Sequence, residues 1–167
     1  MIDKKQTLVI LSPGFPENEE DTTCLPAHQV FVRALNKNFP NLNVIIITFE
    51  YPLIACRYTW NGNNVTGLGG KDTGKINHIL TWLKALNAIR KIKNKNDVIG
   101  ILSFWITQCA LVGKYAGKMY NLKHYSWITG QDAKKNNVFV KLIRPRIDEI
   151  FAMSDFFGKS VLPKLSY

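Results

Sequence analysis

The sequence lacks the features of a membrane-spanning or disulfide-stabilised protein. No apolar run approaches the ~20 residues that span a bilayer. The first short apolar run covers residues 8–11, and Pro13 and Gly14 follow it closely. This run is too short for the apolar core of a signal peptide. The three cysteines are widely spaced, with no CxxC pair and no metal-ligand spacing to a histidine. We therefore expect a cytoplasmic protein with reduced thiols and no bound metal.

Low-complexity segments, internal repeats and an excess of acidic residues are also missing. The chain has 167 residues, of which 46% are hydrophobic and 20% charged, as is usual for one globular domain. The formal net charge is +10, which is compatible with nucleic acid, anionic lipid or phosphorylated substrates as partners, or with a basic surface that only keeps the protein soluble. We expect no nucleic-acid partner and no cofactor.

The apolar residues alternate between short continuous runs and helical spacing. Runs that are apolar on both faces predict buried parallel strands at 7–11, 42–49, 97–102, 124–129 and 149–153. Helices are predicted at 24–38, about 76–89, 106–119, 138–143 and 154–162, with Ser154 as the cap of the last. In the second helix, the predicted inward stripe is Ile76, Ile79, Leu80, Leu83, Leu86 and Ile89. Residues 57–70 interrupt the alternation and predict a small inserted hairpin.

Strands that alternate with helices predict a Rossmann-like three-layer α/β/α domain with a mostly parallel sheet. Ligands of such sheets bind beyond the carboxyl ends of the strands. Three unusual loops follow predicted strands, at 12–16, 103–105 and 129–132. We interpret Asp132 as a surface loop residue that accepts hydrogen bonds from sugar hydroxyls. The alternative is a turn former with no ligand contact.

Residues 69–75, Gly-Gly-Lys-Asp-Thr-Gly-Lys, match the P-loop pattern GxxxxGK. A P-loop then requires Ser or Thr to hold magnesium, whereas Ile76 follows here, and the preceding residues 65–68 look like a poor buried strand. A flexible glycine loop and a contact between Lys71 or Lys75 and a substrate phosphate are the other interpretations.

A basic run at the end of the second predicted helix has two interpretations. It contains Arg90, Lys91, Lys93 and Lys95. Such a run is usually a solvated helix end, and its functional alternative is attraction to acidic lipid head groups.

Taken in order, several segments resemble the N-terminal domain of GT-B glycosyltransferases of family 4. They are the Pro/Gly loop at 12–16, the helix that follows from Pro26, and Asp-Val-Ile-Gly at 97–100. Thr-Gly-Gln-Asp at 129–132 is similar to the family's HGxD loop, with Thr129 in place of the histidine, and residues 147–154 are similar to the strand before the family's last helix. The Gly-Gly pair often found before the first helix is missing.

The resemblance implies transfer of a sugar from a nucleotide-sugar donor to a glycan or lipid-linked acceptor, usually with retention, as in cell-surface polysaccharide biosynthesis. It implies that residues 1–167 are the acceptor-binding half of a GT-B fold. The donor-binding domain, with its Glu-x7-Glu motif, is not found in this sequence, so we expect the fragment alone to be inactive. We also expect a location in the cytoplasm, peripheral at the inner face of the membrane.

The predicted site contains one catalytic candidate, Asp132. The predicted acceptor- or donor-binding residues are Gly14, Phe15, Lys71, Trp105, Thr129, Gly130, Gln131 and Ser154. The alternative functions are a P-loop nucleotide hydrolase and a non-enzymatic Rossmann-like binding module.

Overall fold

The computed structural model describes residues 5–71, 75–129, 132 and 137–152. The strands are β1 (Gln6–Gly14), β2 (Asn43–Tyr51), β3 (Cys56–Trp60), β4 (Asn63–Gly67), β5 (Asp97–Phe104), β6 (His124–Ile128) and β7 (Ile150–Ala152). The helices are α1 (Pro26–Asn38), α2 (Lys75–Lys95), α3 (Gln108–Tyr120) and α4 (Val138–Ile143), with a 3₁₀ turn at Ile147–Glu149. The predicted fifth helix, 154–162, lies outside the described residues.

In the described part of the chain, the strands form a seven-stranded sheet in the order β3-β4-β2-β1-β5-β6-β7. All neighbouring pairs are parallel except β3 with β4, which is antiparallel. The central strand is β1, where Val9 lies between Ile45 of β2 and Ile101 of β5. After β1, the chain adds β2, β3 and β4 on one side of this strand and then β5, β6 and β7 on the other side. The predicted Rossmann-like α/β fold is therefore confirmed, with a topological switch point between β1 and β5.

Both faces of the sheet are buried, which explains why the strands are apolar at successive positions. One face packs against α2 and α3 and includes Val9, Leu11, Ile47, Phe49, Ala85, Ile89 and Val112. The other packs against α1 and includes Ile10, Val32, Ile46, Trp60, Leu102, Phe104 and Trp127. In α3, an added Cβ at Gly113 would lie 2.4 Å from Nε2 of His124. A glycine at this position therefore allows α3 to pack closely against the sheet.

The predicted hairpin exists, but it belongs to the main sheet. Strand β4 pairs in parallel with β2, and Val65 and Leu68 are 1% and 8% exposed. The expectation that residues 65–68 make a poor buried strand is wrong, because β2 offers them an open edge with which to pair.

The buried face of α2 differs from the predicted one. Ala85 and Ile89 are fully buried, whereas Leu80 and Leu83 are 48% and 56% exposed and Ile79 is 54% exposed. The predicted inward positions of Ile79, Leu80 and Leu83 are wrong. The helix has more apolar positions than one face can bury, and the small side chain of Ala85 permits close approach to the sheet.

Candidate functional site

The predicted site loops meet at one edge of the sheet. Strands β1, β2, β5 and β6 are neighbours, and their carboxyl ends lie at Gly14, Tyr51, Phe104 and Ile128. Main-chain hydrogen bonds join the strand ends in pairs. The Phe15 N–H donates to the Tyr51 carbonyl at 3.1 Å, and the Trp105 N–H donates to the Trp127 carbonyl at 2.8 Å.

Asp132 braces two of these loops. Its two carboxylate oxygens accept hydrogen bonds from the Ile106 N–H and the Thr129 N–H, both at 2.7 Å, and the Thr129 hydroxyl lies 3.3 Å away. The residue is 4% exposed, so its predicted surface position is wrong. Burial raises the pKa of this carboxyl, against the lowering effect of the Thr129 and Ile106 hydrogen bonds. Its catalytic role remains a prediction.

The loop after β1 contributes backbone rather than an aromatic side chain. Gly14 approaches β2 so closely that an added Cβ would lie 3.2 Å from Cβ of Tyr51. Phe15 is 0% exposed, and its ring meets Trp60 edge-to-face at 4.9 Å. Its side chain therefore belongs to the core, and only its main chain faces the loop.

Trp105 and His28 form a second cluster near the switch point. Trp105 follows β5 with a left-handed φ of 68°, and its ring lies 5.5 Å from that of His28. His28, in the first turn of α1, is 3% exposed and stacks on Phe104 at 3.9 Å. Burial lowers the pKa of His28 to about 4, so the imidazole is neutral near pH 7. His28 was not among the predicted site residues. The available sequence signal was its position two residues after Pro26, which starts α1.

A cavity of about 550 Å³ opens beside the ends of β2 and β5. This volume lies within the range of about 300–1,000 Å³ that is usual for ligand pockets. Its lining includes aromatic, aliphatic and polar side chains: Glu50, His78, Ile79, Trp82, Thr107, Gln108 and Phe139. We call this space the Glu50 cavity.

A hydrogen-bonded chain orients the polar wall of the Glu50 cavity. Trp82 Nε1 donates to Gln108 Oε1 at 2.9 Å, and Gln108 Nε2 donates to Glu50 Oε1 at 2.8 Å. Gln108 is 6% exposed, so protein contacts rather than water hold this series of hydrogen bonds in place. A fixed carboxylate beside aromatic rings can bind a hydroxylated ring, whose hydroxyls meet the carboxylate while its C–H face covers the aromatic side chain. No sequence motif predicted that these residues form a site. The available signal was Glu50, a charged residue near the end of a buried apolar strand.

Of the remaining predicted site residues, two are described by the structure and three are not. Lys71 is exposed in the turn before α2, and Thr129 is half-buried at the end of β6. The predicted positions Gly130, Gln131 and Ser154 lie outside the described residues. Among the residues that are described, no group of three or more His, Cys, Asp or Glu could hold a metal ion.

None of the helices in the described ranges combines the length with the hydrophobicity that a bilayer span requires. The cysteines Cys24, Cys56 and Cys109 are free thiols. Burial raises the pKa of Cys24 to about 11, which keeps this thiol protonated near pH 7.

Comparisons with known proteins support the fold. No protein-family model matches the sequence, and no curated protein sequence is significantly similar to it. Among solved structures, the chain is similar to a UGT transferase from Siraitia grosvenorii in complex with UDP, with a TM-score of 0.50 and 10% sequence identity. The match covers 73% of this chain and 27% of that one, so this chain spans well under half of its neighbour. At this sequence identity the likeness shows the fold alone, a Rossmann-like α/β fold.

Proposed function

We propose that this chain is the acceptor-binding half of a glycosyltransferase that moves a sugar from a nucleotide-sugar donor to a glycan or lipid-linked acceptor. The observation that carries the proposal is the Glu50 cavity, at the carboxyl edge of a Rossmann-like sheet. The UDP-bound glycosyltransferase neighbour supports the same class of donor. Family-4 membership, retention of the anomeric configuration and a role in polysaccharide biosynthesis belong to this proposal.

The proposed division of labour assigns the acceptor to this chain. The acceptor's ring lies against Trp82 and Phe139, and its hydroxyls bind Glu50 and Thr107, all of which line one cavity. In this proposal, a second domain outside these 167 residues binds most of the donor. A lipid-linked acceptor places the protein at the inner face of a membrane.

The acceptor site can be tested through the Trp82 indole N–H, which is bonded to Gln108 at 2.9 Å. We expect a panel of methyl pyranosides to shift this signal in ¹⁵N-edited NMR spectra. The Trp60 indole, in the core cluster on the opposite face, should stay unchanged. Glu50→Gln should weaken binding of the best glycoside roughly tenfold, because charge-assisted hydrogen bonds become neutral ones.

The matched control is Glu20→Gln, which makes the same change at an exposed carboxylate in the loop after β1. It should bind glycosides like the wild type. If no pyranoside shifts the Trp82 signal, or if both variants lose affinity equally, the acceptor site is not in this cavity.

A further inference from the structure

Helix α2 and the β3–β4 hairpin enclose a groove lined by cations. Two cavities of about 480 and 450 Å³ share Arg57, Thr66, Ala88 and Lys91 as lining residues, so they adjoin. Lys95 lines the first cavity and Lys84 the second. Among the described residues, no Asp or Glu lines either one. We call the surface formed by Arg57, Lys84, Lys91 and Lys95 the basic groove.

The three lysines of the basic groove occupy one stripe of α2, at i, i+7 and i+11. Within residues 5–71, 75–129, 132 and 137–152, no ion pair neutralises any of the four cations. The rest of the basic run is engaged elsewhere: Lys93 lies 6.0 Å from the Tyr120 ring, and Arg90 donates to Asn87 Oδ1 at 3.2 Å. The groove is thus a concentration of positive charge that tertiary structure assembles.

Exposed apolar side chains adjoin the same groove. Ile54 is 80% exposed and Leu53 57% exposed, immediately before the groove residues at the start of β3. On α2, Leu80 is 48% exposed and lies four residues before Lys84, on the lysine side of the helix. Cations beside protruding aliphatic side chains are typical of surfaces that rest on a lipid bilayer.

We propose that the basic groove and its apolar neighbours dock on an anionic phospholipid membrane. Lipid phosphates lie against Arg57, Lys84, Lys91 and Lys95, while Ile54 and Leu80 enter the boundary with the acyl chains. Free phosphate would explain the cations alone, whereas a bilayer explains the exposed aliphatic side chains as well. This docking deepens the membrane location proposed above and requires no step of sugar transfer.

The test is co-sedimentation of the purified chain with phosphatidylcholine vesicles, with and without phosphatidylserine. We expect binding to the anionic vesicles only. Added salt should weaken this binding, because charges are screened over about 8–10 Å at physiological ionic strength. The assay contains no sugar donor or glycoside, so its failure is distinguishable from failure of the Glu50 cavity.

Paired variants then locate the surface. Arg57→Gln with Lys91→Gln should weaken anionic-vesicle binding roughly 25-fold, at about fivefold for each cation. The matched control, Lys37→Gln with Lys118→Gln, removes two exposed cations at the ends of α1 and α3 and should have much less effect. Ile54→Ser, which keeps every charge, should weaken binding roughly tenfold.

Melting temperatures of all variants should match that of the wild type, since the changed side chains are exposed. If the variant with Arg57→Gln and Lys91→Gln fails to fold, Lys84→Gln with Lys95→Gln replaces it. Equal binding to both vesicle types, equal losses in groove and control variants, or full binding by Ile54→Ser would each overturn the proposal.

Discussion

At the scale of single residues, the Asp132 carboxylate connects the loop after β5 with the loop after β6. Each oxygen accepts a main-chain N–H at 2.7 Å, from Ile106 and from Thr129. Because Asp132 is 4% exposed, water cannot replace a hydrogen bond that is lost there. Its side chain therefore has a direct part in the stability of the site edge.

We expect Asp132→Asn to lower the free energy of unfolding by about 1–3 kcal/mol, because an amide has one acceptor oxygen and turns its NH₂ group toward a main-chain N–H. Urea denaturation at neutral pH measures the loss. The control is Asp97→Asn, at the exposed start of β5, which should change stability little. Unchanged stability together with lost activity in a full-length enzyme would instead favour the predicted catalytic role.

At the scale of elements, the glycine-rich segment 69–75 connects β4 to α2. A strand before the loop and a helix after it are the context that a P-loop requires. The segment lacks the hydroxyl that would hold magnesium, because Ile76 stands in that position. The context therefore strengthens the nucleotide-hydrolase alternative, while the chemistry of the motif opposes it.

We expect this segment not to bind Mg-ATP or Mg-GTP tightly, since Ile76 replaces the Ser or Thr that holds magnesium in a P-loop. Isothermal calorimetry with each nucleotide measures the affinity. Micromolar binding that disappears in Lys75→Ala would restore the P-loop alternative, whereas binding that persists in that variant would indicate a different nucleotide site.

At the scale of the whole molecule, the proposed function requires two binding surfaces that face each other. This chain supplies one carboxyl edge with one cavity of suitable chemistry, the Glu50 cavity. Sugar transfer needs donor and acceptor held together in reactive geometry, which contributes much of an enzyme's rate enhancement. An acceptor surface by itself cannot supply that geometry.

We therefore expect no transfer when the 167-residue chain is incubated with a panel of nucleotide sugars and glycoside acceptors, followed by mass spectrometry of the products. A Glu50→Gln sample processed in parallel identifies traces from contaminating enzymes, which would be equal in both samples. Robust turnover that depends on Glu50 would contradict the division into two halves.

The sequence by itself determined most of the described strands and helices and the class of fold. Runs that are apolar on both faces can be satisfied only in a sheet covered on both sides, and the alternation with helices requires parallel strands. It also determined which loops follow the strands, because parallel strands place their carboxyl ends at one edge. These properties depend on residues that are near one another in the chain.

Tertiary structure alone decided which side chains converge. It selected Ala85 rather than Leu83 as the buried side of α2, since packing against the sheet favours the small residue. It joined Glu50 to Gln108 across 58 positions of sequence and placed Arg57 opposite Lys91. Such contacts depend on strand order and helix rotation. The apolar periodicity of the sequence determines neither strand order nor helix rotation, because several apolar faces of comparable size compete for burial.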